Sequence, residues 1–237
     1  MTTGAPLDLL AFGAHPDDVE LGCGGTLALH AAKGYAVGIV DLTQGEMATG
    51  GTPEERAREA EAACRELGAA LRENLGLPDR GPLADPGHLR RVVEVLRRLR
   101  PAVVLAPYRE DRHPDHGACS RLVEEAFFTS GLVRYETGQE PHRPARLLYY
   151  PVSPGLLPAG GGWILAAVDV SGVYHMKDAA LACYRSQFRR GPGVMPTPLN
   201  APAYLEAIRI RDRLLGYACG VEYAEALLGT SPLPVGD

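Results

Sequence analysis

The stretch "LDLLAFGAHPDDVELGCGG", residues 7–25, decides the fold. Its first eight residues form an apolar run short enough for a strand buried on both faces. That run leads straight into His15, Asp17 and Asp18, and then into glycines. A histidine beside two carboxylates is costly to bury without a partner. The end of this strand therefore meets something that needs charge.

The same grammar continues outward. Residues 24–34 read as a helix ending at Gly34, and "YAVGIVDLT" (35–43) as a second buried strand. The loop "QGEMATGG" (44–51) carries glycines that let it move as a lid. Thr52 and Glu55 match a capping box, Pro53 takes the first helical position and Gly68 ends the run, which makes 52–68 a helix. "LRENLGL" (71–77) fits a short third strand. Residues 86–100 are amphipathic, with Leu89, Val92, Val93, Leu96 and Leu99 on one face. Residues 101–108 read as another buried strand and 114–131 as a helix.

Strands alternating with helices give an α/β, Rossmann-like fold, a mostly parallel doubly wound sheet with helices on both faces. Beyond about residue 140 the pattern changes. Residues 145–152 and 163–170 read as strands, followed by helices near 174–187 and 201–217. Pro and Gly are dense in 151–162 and 189–202, which marks long loops. The expectation is one domain over 1–237: a core over 1–140, and a C-terminal extension over 141–237 that shapes the substrate site and oligomer contacts.

Composition narrows the class. The 237 residues are 46% hydrophobic, enough for a core. The net charge of −5, with no basic tract, argues against nucleic acid as a partner. The five cysteines are scattered and none forms CxxC, so they read as reduced thiols of a cytoplasmic protein, packed as small apolar residues. The start lacks a signal-peptide pattern. No apolar run approaches the roughly 20 residues of a membrane helix.

Ligands of open α/β sheets bind beyond the C-terminal ends of the strands. Two strands here end in the same chemistry. One gives His15, Asp17 and Asp18; the other, in "REDRHPDHG", gives Asp111, His113, Asp115 and His116. If these strands are neighbours, imidazoles and carboxylates converge at one edge. A catalytic zinc takes three such ligands and keeps a position for water, whose pKa it lowers to about 7. A carboxylate base and an opposing donor are also needed. The residues alone leave open which of Asp17 and Asp18 binds metal.

Each motif alone could be ordinary, since Asp and Pro start turns and helices. Two at strand ends, in a chain with seven histidines, are hard to explain that way. A structural zinc would favour cysteines. His30, His88 and His175 read as structural, and Cys23 as packing. A dinucleotide site is a poor fit, because the first strand leads into GAHPDDVELG rather than GxGxxG. A phosphoesterase would want two metals, which Asp111 leaves conceivable. A zinc protein without activity would not need both motifs whole.

The pairing of "AHPDDVELGCGGTL" with "DRHPDHGACSRLVEEAF" resembles the PIG-L/LmbE family of zinc-dependent de-N-acetylases. Further segments extend the likeness along nearly the whole chain: "VDLTQGEMATGGTPEERAREAEAAC", "NLGLPDRG", "PHRP", "YRSQF" and "GVEYAEALL". Within the family the pattern is most similar to the bacillithiol-biosynthesis deacetylases, which convert N-acetylglucosaminyl malate to glucosaminyl malate and acetate. Diacetylchitobiose or a mycothiol precursor is the alternative substrate.

The resemblance implies roles. His15, Asp18 and His116 would bind one Zn2+ per subunit, or another divalent ion such as Fe2+. Asp17 would be the general base. His113, oriented by Asp115, would assist the oxyanion or the leaving group. Either Asp17 or His113 would protonate the departing amine. Arg56, Arg143 and Tyr204 fall at substrate-side positions. Arg143 would act in its own or a neighbouring subunit, because relatives are often homo-oligomers, trimers or hexamers. Arg56 and Arg109 are candidates for a malate carboxylate.

Overall fold

Strand β1 (Leu9–Gly13) is buried at every position, as is β2 (Val37–Thr43) beside it. Alternation along each strand sends Leu9, Ala11, Val37 and Ile39 to one face of the sheet and Leu10, Phe12, Val40 and Leu42 to the other. Apolar side chains on both faces mark the interior of a parallel sheet covered by helices on each side.

The computed structural model describes residues 6–81, 85–155 and 164–229. The remaining elements are α1 (Asp18–Ala32), α2 (Pro53–Glu66), β3 (Leu71–Leu77), α3 (Pro86–Leu99), β4 (Val103–Pro107), α4 (Pro114–Thr129), β5 (Arg146–Tyr150), β6 (Ile164–Asp169), α5 (Tyr174–Cys183), α6 (Arg185–Phe188), α7 (Tyr204–Cys219) and β7 (Ala224–Leu228). The strands form one sheet in the order β3-β2-β1-β4-β5-β7-β6. The first five are parallel, and β7 pairs antiparallel with both β5 and β6. One core cluster includes residues of α1, α2 and α5. The other includes α3 and α4, with Leu89, Val92, Val93, Leu96 and Leu99 all on the core side.

The Rossmann-like expectation stands, with particular corrections. Helix α1 begins at Asp18, six residues before the predicted start at Gly24. The glycines lie inside it and serve close packing. A Cβ on Gly22 would stand 2.1 Å from the ring of Tyr150. The helix is kinked at Cys23, whose φ is −144°. The helix predicted over 174–187 is two helices, divided at Tyr184 (φ −81°, ψ 60°). Strand β7 has no counterpart among the strands expected from the sequence. Trp163 and most of the 151–162 loop lie outside the described residues. All five cysteines are free, and Cys23, Cys64 and Cys119 are buried. No helix among the described residues is long and apolar enough to cross a membrane.

A buried ionic network ties the C-terminal elements to α1. Glu225 of β7 accepts from the Gly25 amide (2.9 Å), the Thr26 amide (2.6 Å) and the Thr26 hydroxyl (2.7 Å). These are the amides just past the kink, so a carboxylate caps the second half of the helix. Lys177, with no exposed surface, donates to Glu225 and to Asp212, each at 2.7 Å. Arg211 donates to Asp212 (2.9 Å) and to the Leu21 carbonyl (2.8 Å).

Candidate active site

Strands β1 and β4 are hydrogen-bonded neighbours. The two motifs at their ends therefore meet. The His15 and His113 rings lie 5.0 Å apart, and the His113 and His116 rings 4.8 Å apart.

Asp18 opens α1 and sits between two imidazoles. Its Oδ1 lies 3.1 Å from His116 Nε2, and its Oδ2 lies 3.4 Å from His15 Nδ1. The outer nitrogens face other carboxylates. His116 Nδ1 is 3.0 Å from Asp111 Oδ1. His15 Nε2 is 3.2 Å from Asp79 Oδ1 and 3.4 Å from Asp115 Oδ2. Asp111 is itself fixed by the Ser153 hydroxyl (2.9 Å) and the His113 amide (2.8 Å). A histidine whose outer nitrogen is held by a carboxylate presents its inner nitrogen as a metal ligand. His15, His113 and His116 also form a compact set of potential ligand atoms, as do His15, Asp79 and Asp115. In the second set His15 meets Asp79 and Asp115 through Nε2, whereas its Nδ1 faces Asp18.

The charges agree. Burial alone would lower His116, but the Asp18 charge and the hydrogen bonds to Asp111 and Asp18 carry it up to about 9. His15 is likewise raised against burial, by Asp115, Asp18 and Asp79. Asp18 is held well below the carboxylate range despite burial, chiefly by His116. Asp79 falls to about 2, because hydrogen bonds from His15 outweigh its burial. Asp18, Asp79 and Asp111 crowd two imidazoles, and a divalent ion can neutralise that negative charge in place of the ring protons, which it must displace to bind. His15, Asp18 and His116 fit a divalent ion.

Asp17 faces elsewhere. Its carboxylate accepts from Arg56 Nη2 at 2.9 Å, and the same guanidinium donates twice to the Pro16 carbonyl, at 3.1 and 2.6 Å. Asp17 has φ 114°, in the left-handed region that non-glycine residues avoid. Such a conformation costs about 1–3 kcal/mol and persists where the surroundings over-determine it. Burial raises Asp17 to about 7; Arg56 opposes the rise and the Asp18 charge adds to it. Gly45 (φ 66°) leaves room for the guanidinium, since a Cβ there would lie 2.5 Å from Arg56 Nη1.

A cavity of about 670 Å³ opens over these groups. His15, Asp17, Asp18, His113 and His116 line its floor, and residues 47–51 form part of its wall. Residues 193–200 and Tyr204, from the C-terminal half, line it as well. Burial and the charges of Asp17 and Asp18 push the Tyr204 hydroxyl far above its usual range. Arg80, Arg112 and Arg189 also line the cavity, and all three are exposed. Arg112 and Arg189 have no side-chain hydrogen bond or ion pair among the described residues, whereas Arg80 donates to Asp115 at 2.8 Å.

Several expectations change. Arg56 lines the cavity, but its guanidinium is committed to Asp17 and Pro16 and is not free for a substrate carboxylate. Arg109 is exposed and outside the cavity lining. Arg143 is also outside it, 5.0 Å over the Phe128 ring and donating to the Phe128 carbonyl at 3.3 Å. Asp115 lies nearer His15 and Arg80 than His113, whose Nδ1 is 3.8 Å away; it is the Asp115 amide that donates to that nitrogen, at 3.4 Å. Asp79 is absent from the residues expected at the site. Its signal was available, a carboxylate just past the end of β3, the same position as in the other two clusters.

Residues 10–127, which span both motifs, match the family described as PIG-L, GlcNAc-PI de-N-acetylase. A 1D-myo-inositol 2-acetamido-2-deoxy-alpha-D-glucopyranoside deacetylase of Salinispora arenicola is 30% identical, covering 97% of this chain and 87% of its own. The chain belongs to the PIG-L family. This PIG-L chain is an N-deacetylase, a hydrolase several of whose relatives are named for GlcNAc-type sugars, and metal dependence is typical of the family. The crystal structure of the conserved protein TT1542 of Thermus thermophilus is 42% identical, with a TM-score of 0.86 over 97% of each chain. A 4-oxalmesaconate hydratase of Pseudomonas putida is 29% identical over 75% of this PIG-L chain and 73% of its own.

Proposed function

We propose that the enzyme hydrolyses N-acetylglucosaminyl malate to glucosaminyl malate and acetate, within bacillithiol biosynthesis. The observation that carries this is the polarity of the cavity. Carboxylates and imidazoles line the floor, while Arg112 and Arg189 stand unpaired among the described residues and exposed in its lining. A dicarboxylate aglycone can take a guanidinium fork at each end. A neutral disaccharide offers them hydroxyl acceptors but no opposite charge.

In this reading His15, Asp18 and His116 hold a zinc ion or a similar divalent cation. When bound, such an ion polarises the acetamide carbonyl and acidifies water. Asp17 takes the proton from the attacking water. A buried carboxyl at about 7 suits a general base working near neutral pH. Burial and the charges of His116 and His15 lower His113, which favours its neutral form. Its Nδ1 accepts from the Asp115 amide, so its Nε2 carries the proton and can donate to the oxyanion. Tyr204 supplies a second donor at the cavity wall. The C–N bond then breaks, and the proton held by Asp17 passes to the amine.

Residues 193–200 and Tyr204 in the cavity wall support a C-terminal extension that shapes the substrate site. The reading places the enzyme in the cytoplasm as a trimer or hexamer. Arg143, outside its own cavity, is then available to a neighbour's.

The test is a panel of N-acetylglucosaminides offered to metal-replete enzyme, with released amine as the readout. Preference for the malate conjugate is expected. Preference for diacetylchitobiose overturns the malate assignment. Hydration of an unsaturated dicarboxylate with no amine released moves the chain to the chemistry named for the P. putida relative.

A further inference from the structure

One carboxylate joins the metal cluster to the loop that walls the cavity. Asp79 Oδ1 lies 3.2 Å from His15 Nε2, and Asp79 Oδ2 accepts from the Met47 amide at 3.0 Å. In return the Asp79 amide donates to Glu46 Oε1 at 2.7 Å. Both oxygens and the backbone of Asp79 are therefore engaged, one side toward His15 and the other toward residues 46 and 47. The far end of the loop is fastened separately, by Gln187 Nε2 donating to the Gly50 carbonyl at 2.8 Å.

The turn that carries Asp79 is not free to follow the loop. The Gly81 amide donates to the Pro78 carbonyl at 3.0 Å. Arg80 is held at φ 59° while its guanidinium pairs with Asp115 at 2.8 Å. A displaced loop therefore leaves Asp79 behind and strips two of its hydrogen bonds.

We infer that Asp79 is a positioning residue that couples closure of the 44–51 loop to the hold of His15 on the metal. An acceptor on Nε2 keeps the ring proton there and leaves the Nδ1 lone pair facing Asp18. With the loop closed, Met47 and Glu46 fix the carboxylate plane in that role. With the loop open, the carboxylate can rotate and His15 loses its alignment. Coupling between two sites is reciprocal, so a bound metal must also steady the loop. The inference rests on the metal reading of the site.

The experiment titrates zinc into the full-length protein and its variants Asp79→Asn, Glu46→Ala and Glu46→Gln. Circular dichroism checks the fold, and hydrogen exchange of residues 44–51 is followed with and without zinc. Asp79→Asn puts an N–H donor within reach of His15 Nε2 and should weaken zinc about 10–100-fold. Glu46→Ala touches none of the three ligands, yet should weaken zinc several-fold. Glu46→Gln, which still accepts from the Asp79 amide, should restore wild-type affinity. Zinc should slow loop exchange in the wild type and not in Asp79→Asn. A Glu46→Ala affinity within twofold of wild type, an unchanged Asp79→Asn affinity, or wild-type loop exchange indifferent to zinc overturns the inference. A wild type that binds no zinc sinks the metal reading and this inference with it.

Discussion

Arg56 approaches Asp17 on one side only, with Nη2 2.9 Å from Oδ2. The guanidinium grips the preceding carbonyl as well, so it fixes both the backbone and the charge of the proposed base.

Asp17→Asn tests that base. It keeps the shape of the side chain and alters none of the proposed metal ligands. Turnover should fall about 10²–10⁴-fold, the usual contribution of general base catalysis, while zinc content measured by atomic absorption stays at wild type. Wild-type turnover refutes the assignment.

Removing Arg56 should move a titration as well as a rate. Arg56 opposes the rise of Asp17 caused by burial. Without it the carboxyl goes above about 7, and the base is protonated at neutral pH. The acidic limb of the kcat/KM profile should shift to higher pH in Arg56→Ala. Arg56→Lys keeps the charge but loses the fork to the Pro16 carbonyl, so its limb should lie between the two. An unmoved limb in Arg56→Ala contradicts the pairing.

Asp111→Ala removes the carboxylate behind His116, 3.0 Å from Nδ1. Zinc affinity should drop about 10–100-fold, read by competition with a chromogenic chelator. Chelation should abolish wild-type activity and added zinc restore it.

Arg112→Ala and Arg189→Ala bear on the aglycone. KM for the malate conjugate should rise about tenfold or more when both are replaced, from the loss of charge-assisted hydrogen bonds. KM for a neutral N-acetylglucosaminide should hold. Equal effects on both substrates argue against a carboxylate at the mouth.

The network around Lys177 predicts stability. Lys177→Met leaves Asp212 and Glu225 buried beside a methyl group, at a cost of about 3–5 kcal/mol. Asp212 lies below its ordinary 3.8, with burial outweighed by the charges of Lys177 and Arg211. A depressed carboxyl stabilises above its unfolded pKa and loses that contribution as pH falls through the folded value. The gap in Tm between wild type and Asp212→Asn should therefore shrink as pH drops below 3.8. A gap constant from about pH 7 to about pH 3 contradicts the ion pairing.

The parallel core was legible because its strands are short apolar runs and its helices carry caps. Thr52 does accept from the Glu55 amide, at 3.2 Å. The start of α1 was misread because glycine near a strand end suggests a turn, while here Gly22 makes room for the Tyr150 ring. That reason lies far along the chain, on β5, and no local pattern encodes it. Strand β7 escaped because AEALL has the composition of a helix, and its antiparallel pairing with β6 overrides that preference. The metal cluster could be read as a set of residues, since both halves sit at strand ends. What could not be read was the division of labour. Only packing shows that Arg56 turns to Asp17, that Arg143 turns away, and that Asp79 joins His15 from a third strand.

The cap that Glu225 places on α1 has a bearing on biosynthesis. The helix that presents Asp18 is fastened by a residue made some 200 positions later. A nascent chain still short of β7 carries both acidic-histidine motifs, but it leaves the Gly25 and Thr26 amides without their acceptor and Lys177 with Asp212 alone. The helix that presents Asp18 thus reaches its native fastening only once β7 has joined the sheet.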